Sequence, residues 1–108
     1  MIYELRIYRA MPGRLPALIA RFQNHTIGIW RKHGIRPVGF WTTIVGESKQ
    51  NLIYILAWEN AAEREKLWKA FLTDPEWVRI STDSERDGQL VEDINNQLLA
   101  PTPFSRLT

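Results

Sequence analysis

From Ile2 to Arg9 the chain alternates, with Tyr3, Leu5 and Ile7 on one side of an extended backbone and Glu4, Arg6 and Tyr8 on the other. That period of two predicts a strand. Met11-Pro12-Gly13 breaks it, and the spacing then changes. Leu15, Leu18, Ile19, Phe22, Thr26, Ile29 and His33 recur at steps of three and four, Pro16 suits a first helical turn, and Gly34 supplies a stop. One long amphipathic helix is expected there. Val38 to Val45 is β-branched and aromatic and predicts a second strand, and Gly46 to Asn51 reads as a hairpin connection. Leu52 to Trp58 is nearly all apolar, which implies a third strand buried on both faces.

Asn60-Ala61-Ala62-Glu63 has the form of a capping box, an N-cap side chain with Glu three residues on. The helix it opens carries Arg64, Leu67, Trp68, Phe71 and Leu72 on one side. Asp74-Pro75-Glu76 restarts a helix that buries Trp77 and Ile80 and runs out near Gly88. Leu90 to Leu99 completes the set as a last strand. The order βαββαβ predicts an α+β, ferredoxin-like fold with a four-stranded antiparallel sheet, as a single domain over residues 1–108.

Two helical segments can cover only one face of such a sheet. Tyr8, Trp41, Tyr54 and Trp58 are the apolar candidates for the other face, too large a surface to leave in water. A second copy closing sheet against sheet is the simplest cover, so a homodimer is expected. Residues 98–108 carry a separate expectation. Pro101 and Pro103 cannot continue a central strand, yet Phe104 and Leu107 follow them, which reads as a tail that docks.

Composition narrows the function classes. The chain has 108 residues, no cysteine and two histidines, so disulfides, thiolate zinc sites and cysteine nucleophiles are excluded. No metal and no cofactor is expected. The net charge of +2 hides an asymmetry. Residues 1–37 hold seven basic side chains against Glu4 alone, whereas residues 59–93 hold ten acids against five bases. Within one small domain these fields largely cancel, or they meet as complementary contact between two subunits; either argues against nucleic acid as a partner. No apolar run approaches the roughly 18 residues of a membrane span. Alternation from Met1 onward is unlike a leader peptide, and a cytoplasmic protein is expected.

The chain resembles the NIPSNAP family over nearly its whole length. The resemblance rests on Ile2-Tyr3-Glu4-Leu5-Arg6-Ile7-Tyr8, Pro12-Gly13-Arg14-Leu15, His33-Gly34 and Val38-Gly39-Phe40-Trp41-Thr42-Thr43. It continues through Trp58-Glu59, Ala62-Glu63-Arg64-Glu65, Asp74-Pro75-Glu76-Trp77 and Pro101-Thr102-Pro103-Phe104-Ser105. It implies a ferredoxin-like subunit paired into a dimeric α/β barrel, and no settled activity. The run Ser81-Thr82-Asp83-Ser84-Glu85-Arg86-Asp87 is more polar than the family pattern.

Candidate chemistry is sparse. Glu4, Arg6 and Tyr8 share one face of the first strand; Arg6 either pairs with Glu4 or holds an anionic ligand bidentately. His25 flanks the helical stripe as a candidate general base, and His33 sits at the helix C-terminus, where a cation meets the dipole favourably. Trp41, Trp58 and Tyr54 are candidate walls for a flat ligand, with Thr43 as a cavity hydroxyl, whereas Trp30, Trp68 and Trp77 read as packing. No glycine-rich phosphate loop is present, and Ser105 has no histidine at a triad spacing.

Two readings follow. In the first, a homodimeric barrel binds a small aromatic or acidic metabolite, with cofactor-independent oxygenation or isomerisation as the chemistry to test. In the second, the chain is a non-catalytic binding or interaction module. A pocket of a few hundred Å³ lined by Arg6, Tyr8 and His25 would separate the two.

Overall fold

A computed structural model describes all 108 residues. Its strands are β1 (Ile2–Ala10), β2 (Arg36–Thr42), β3 (Asn51–Trp58) and β4 (Val91–Leu99). Its helices are α1 (Leu15–Arg21), α2 (Ile27–His33), α3 (Ala61–Leu72) and α4 (Pro75–Ser84). The sheet order is β2-β3-β1-β4 with every pairing antiparallel, which is the ferredoxin-like arrangement. The molecule is only 19 Å thick along its shortest axis, the depth of one sheet and one layer of helices. None of its helices is long and apolar enough to cross a membrane.

Local chemistry explains most boundaries. Asn60 accepts a hydrogen bond from the Glu63 backbone N–H at 2.8 Å, capping α3, while Glu63 reaches back to the Glu59 N–H. Asp74 caps α4 by accepting from the Glu76 N–H at 2.8 Å, with Pro75 as the first helical residue. Gly34 ends α2 at φ +80°, a left-handed conformation that a Cβ disfavours. Residues 15–33 are helical without a break, but Phe22–Thr26 is a π-helical turn between α1 and α2. Such a turn inserts an extra residue and re-aims the side chains beside it.

Two strand expectations need correction. β2 spans Arg36–Thr42 instead of residues 38–45, since Thr43 to Gly46 bends away and leaves Ile44 and Val45 in solvent. β3 is buried throughout on one face only, at Leu52, Tyr54, Leu56 and Trp58; on the uncovered side the small Ala57 is buried but Ile53 and Ile55 are half-buried.

Register decides which aromatic residues face the helices. Arg6 pairs with Tyr54, Tyr8 with Leu52 and Ile2 with Trp58, so the even-numbered residues of β1 and β3 share a face. The expectation that Tyr8, Tyr54 and Trp58 lie on the uncovered face is overturned, because all three are buried beneath the helices. Tyr8 meets Phe22 edge-on at 5.6 Å, Tyr54 packs on Phe22 and Trp30, and Trp58 meets Trp68 edge-on. The uncovered face carries Tyr3, Leu5 and Ile7 from β1, Ile53 and Ile55 from β3, Leu99 from β4 and Trp41 from β2. Trp41 is half exposed there.

The oppositely charged halves of the chain do meet. Lys32 reaches Asp74 and Glu76, Arg36 pairs with Glu63 at 2.9 Å, and Arg21 faces Glu85. The tail turns after Thr102 and ends where Tyr3 donates to the Thr108 carbonyl. Phe104 stays 88% exposed, so the tail docks no aromatic ring on its own subunit.

Candidate functional site

Burying Glu4 and Arg6 side by side under helices is possible only if both charges are answered. Glu4 has no exposed surface and accepts five hydrogen bonds: one from Arg6, two from Arg64 and one each from Trp58 and Asn96. Burial by itself pushes this carboxyl up. The donations from Arg64 and Asn96 and the charge of Arg6 outweigh it and hold the group at about 2. Arg6 is equally engaged. Its Nε donates to the Tyr54 hydroxyl at 2.8 Å, Nη1 to Glu4 at 3.0 Å and Nη2 to the Tyr8 hydroxyl at 3.3 Å. The guanidinium carbon also lies 4.5 Å from the centre of the Trp68 ring. Burial, followed by the neighbouring Tyr8, lifts the Tyr54 phenol well above its ordinary value, so it is protonated throughout the neutral range.

This network floors a cavity of about 460 Å³ between β1, β4, α3 and α4. Arg6, Tyr8 and Arg21 line it together with Trp68, Phe71 and Trp77, with Ser81 and Thr82 on α4 and Glu85 just past its end. The polar run 81–87 therefore includes one wall of the cavity. Ile94 of β4 belongs to the same wall system and stays 45% exposed because α3 and α4 leave that edge of the sheet uncovered.

The sequence candidates divide between this site and elsewhere. Arg6 and Tyr8 line the cavity, with Glu4, Tyr54 and Trp58 packed behind them as the network that holds Arg6. Trp41 lies on the opposite sheet face, and Thr43 lies beyond the end of β2. His33 is engaged elsewhere: its Nε2 sits 2.6 Å from Asp74, whose carboxyl is held far below its ordinary range by Lys32, by His33 and by the Glu76 N–H. His25 does not join Arg6 and Tyr8. It is exposed and borders a second groove of about 520 Å³ between α1, the π-helical turn and α4, which shares Arg21 with the cavity. The helix carrying it turns that side chain outward while Phe22 and Thr26 point inward.

Arg64 and Asn96, which donate to Glu4, and Arg21 on the cavity wall escaped the sequence reading. Arg21 is 93% buried. It falls three residues after Leu18 and one before Phe22, squarely in the apolar stripe, but a charged side chain in a stripe is easily passed over. No cluster of three or more His, Cys, Asp or Glu side chains is placed to hold a metal ion.

The NIPSNAP family model matches residues 3–106. Among solved structures, the chain is similar to a NIPSNAP family protein with unknown function from Agrobacterium tumefaciens, at 28% identity over all of this chain and 94% of that one, with a TM-score of 0.88. It is also similar to an uncharacterized NIPSNAP domain protein from Burkholderia xenovorans, at 23% identity over 97% of this chain and 98% of that one (TM-score 0.85). A putative antibiotic biosynthesis monooxygenase from Nitrosomonas europaea shares the fold at 8% identity, over 94% and 98% of the two chains, with a TM-score of 0.65. No curated protein matches the chain.

Proposed function

Because the chain belongs to the NIPSNAP family, we propose that it is one subunit of a homodimeric α/β barrel that binds a small molecule with an aromatic body. The observation that carries this is the cavity itself. A buried guanidinium and a phenol, Arg6 and Tyr8, meet three aromatic rings, Trp68, Phe71 and Trp77, around about 460 Å³. That size and that mixture of apolar wall with few polar groups suit a ligand of one or two rings. Tyr8 accepts from Arg6, so its own hydroxyl proton is available to a ligand oxygen.

Binding is favoured over turnover by the position of His25. The residue offered by the sequence as a base opens on the other groove, so oxygenase or isomerase chemistry at Tyr8 would have to proceed without it. Dimerisation is supported by the uncovered sheet face. Tyr3, Leu5, Ile7, Trp41, Ile53 and Ile55 form an apolar surface that a second copy would remove from water, and the exposed Phe104 of the tail offers a further apolar contact.

A thermal-shift screen against aromatic and acidic compounds tests the ligand. A compound at 100 times its Kd stabilises by about 2.7 kcal/mol. A panel that leaves the melting point unmoved would remove the ligand reading and leave the interaction module.

A further inference from the structure

We infer that the cavity between β1, β4, α3 and α4 takes a carboxylate on an aromatic body, and that Arg21, not Arg6, is the residue that grips the carboxylate. The inference rests on the reading that this cavity binds a small molecule, and it specifies the chemical class.

Two guanidiniums border the cavity at equal burial, each 7% exposed, and Arg21 stands on the partition between it and the His25 groove; the two differ in how far they are satisfied. Arg6 has an acceptor at each of its three nitrogens. Arg21 has one hydrogen bond, from Nη1 to the Ser84 hydroxyl at 3.2 Å. Its nearest carboxylate, on the half-exposed Glu85, stands 3.9 Å away, and its Nε is buried with no partner. A guanidinium carries five N–H donors, so most of this fork is unused. Leaving a buried cation so poorly matched is costly. Consistent with that, burial draws the Arg21 pKa below its ordinary value.

Charge and shape select the ligand. Arg6 and Arg21 line the cavity with Glu85, and behind them Glu4 answers Arg6 and Arg64, an excess of one positive charge that a monoanion neutralises. The planar fork of arginine matches a carboxylate with two parallel hydrogen bonds. The Arg21 guanidinium carbon lies 5.1 Å from the centre of the Trp77 ring, so a bound acid group would have an indole beside it and Trp68 and Phe71 farther along the same wall. A ring attached to the carboxylate is therefore directed along apolar surface. Arg21 owes this position to its place at the end of α1, immediately before the π-helical turn.

Titration calorimetry on the full chain with 2-naphthoate and its neutral counterpart 2-naphthamide tests the inference. The acid is expected to bind at least about tenfold more tightly than the amide, and Arg21→Gln is expected to erase that preference. Arg21→Lys, which keeps the charge and loses the fork, should retain only part of it. Equal affinities for acid and amide in the unaltered protein would overturn the assignment while leaving the cavity as a binding site. A preference that survives Arg21→Gln would do the same. Should neither compound bind, the assignment falls, and the thermal-shift panel decides the ligand reading separately. If Arg21→Gln fails to fold, the comparison of acid with amide, together with Arg21→Lys, decides the matter without it.

Discussion

Arg64 on α3 donates from Nε to Glu4 on β1 at 2.8 Å, joining a helix to the second strand in from the sheet edge through a carboxylate that solvent does not reach. Arg6 donates to the same carboxylate, so one anion organises two cations and the floor of the cavity. Removing it should be far more damaging than removing either cation's exposed end. Glu4→Gln keeps the shape but strands two guanidiniums, and we expect a loss of about 3 to 5 kcal/mol in urea unfolding. A loss under about 1 kcal/mol would show that the network is not what holds α3 in place.

The same residue sets an acid limit. Its folded pKa of about 2 lies below the ordinary 4.5, so the unfolded chain takes up the proton first as pH falls. The stabilisation is therefore complete above about pH 4.5 and is lost between there and about pH 2, amounting to about 3 kcal/mol. Stability measured across that window should fall steeply in the native chain. In Glu4→Gln the fall should be shallower, and identical slopes would refute the assignment.

Tyr54→Phe deletes the acceptor for Arg6 Nε and leaves a buried N–H unmatched. The cost expected is about 1 to 3 kcal/mol, with the fold retained. Circular dichroism and chemical unfolding measure both.

Ser81→Phe places a ring in the cavity from α4, where Ser81 is half-buried. Any aromatic ligand found by thermal shift should lose its effect in this variant while the melting point of the free protein changes little. Ligand stabilisation that persists at full size would move the binding site elsewhere.

Sheet-to-sheet pairing predicts that Ile53→Glu, on the uncovered face, yields a folded monomer by light scattering. Phe104→Ala should weaken the dimer by at least about tenfold if the tail aromatic anchors on the partner. Dimers of undiminished affinity in both variants would direct attention to a different surface.

Much of the architecture was legible because its determinants are local. Alternation through Ile2 to Arg9, the Asn60 and Asp74 caps and the Gly34 stop each depend on a few neighbouring backbone groups. The Glu4–Arg6 pair was also open to inference, since residues two apart on a strand share a face. Arg64 as its third member was not, because nothing in the spacing connects positions sixty residues apart. The apolar run Leu52 to Trp58 was misleading for a related reason: hydrophobicity on both sides of a strand does not say whether a helix or a second subunit does the covering.

The amino-acid order by itself determined the βαββαβ succession, because strand period, helix period and capping chemistry are written within a few residues. Only the tertiary structure decided that Glu4, Arg6, Tyr8 and Tyr54 face the helices, that His25 turns away from them, and that Arg21 is buried with its donors mostly unmatched. Those outcomes depend on strand register and on one π-helical turn, which bring distant side chains together and so lie outside what any local pattern can encode.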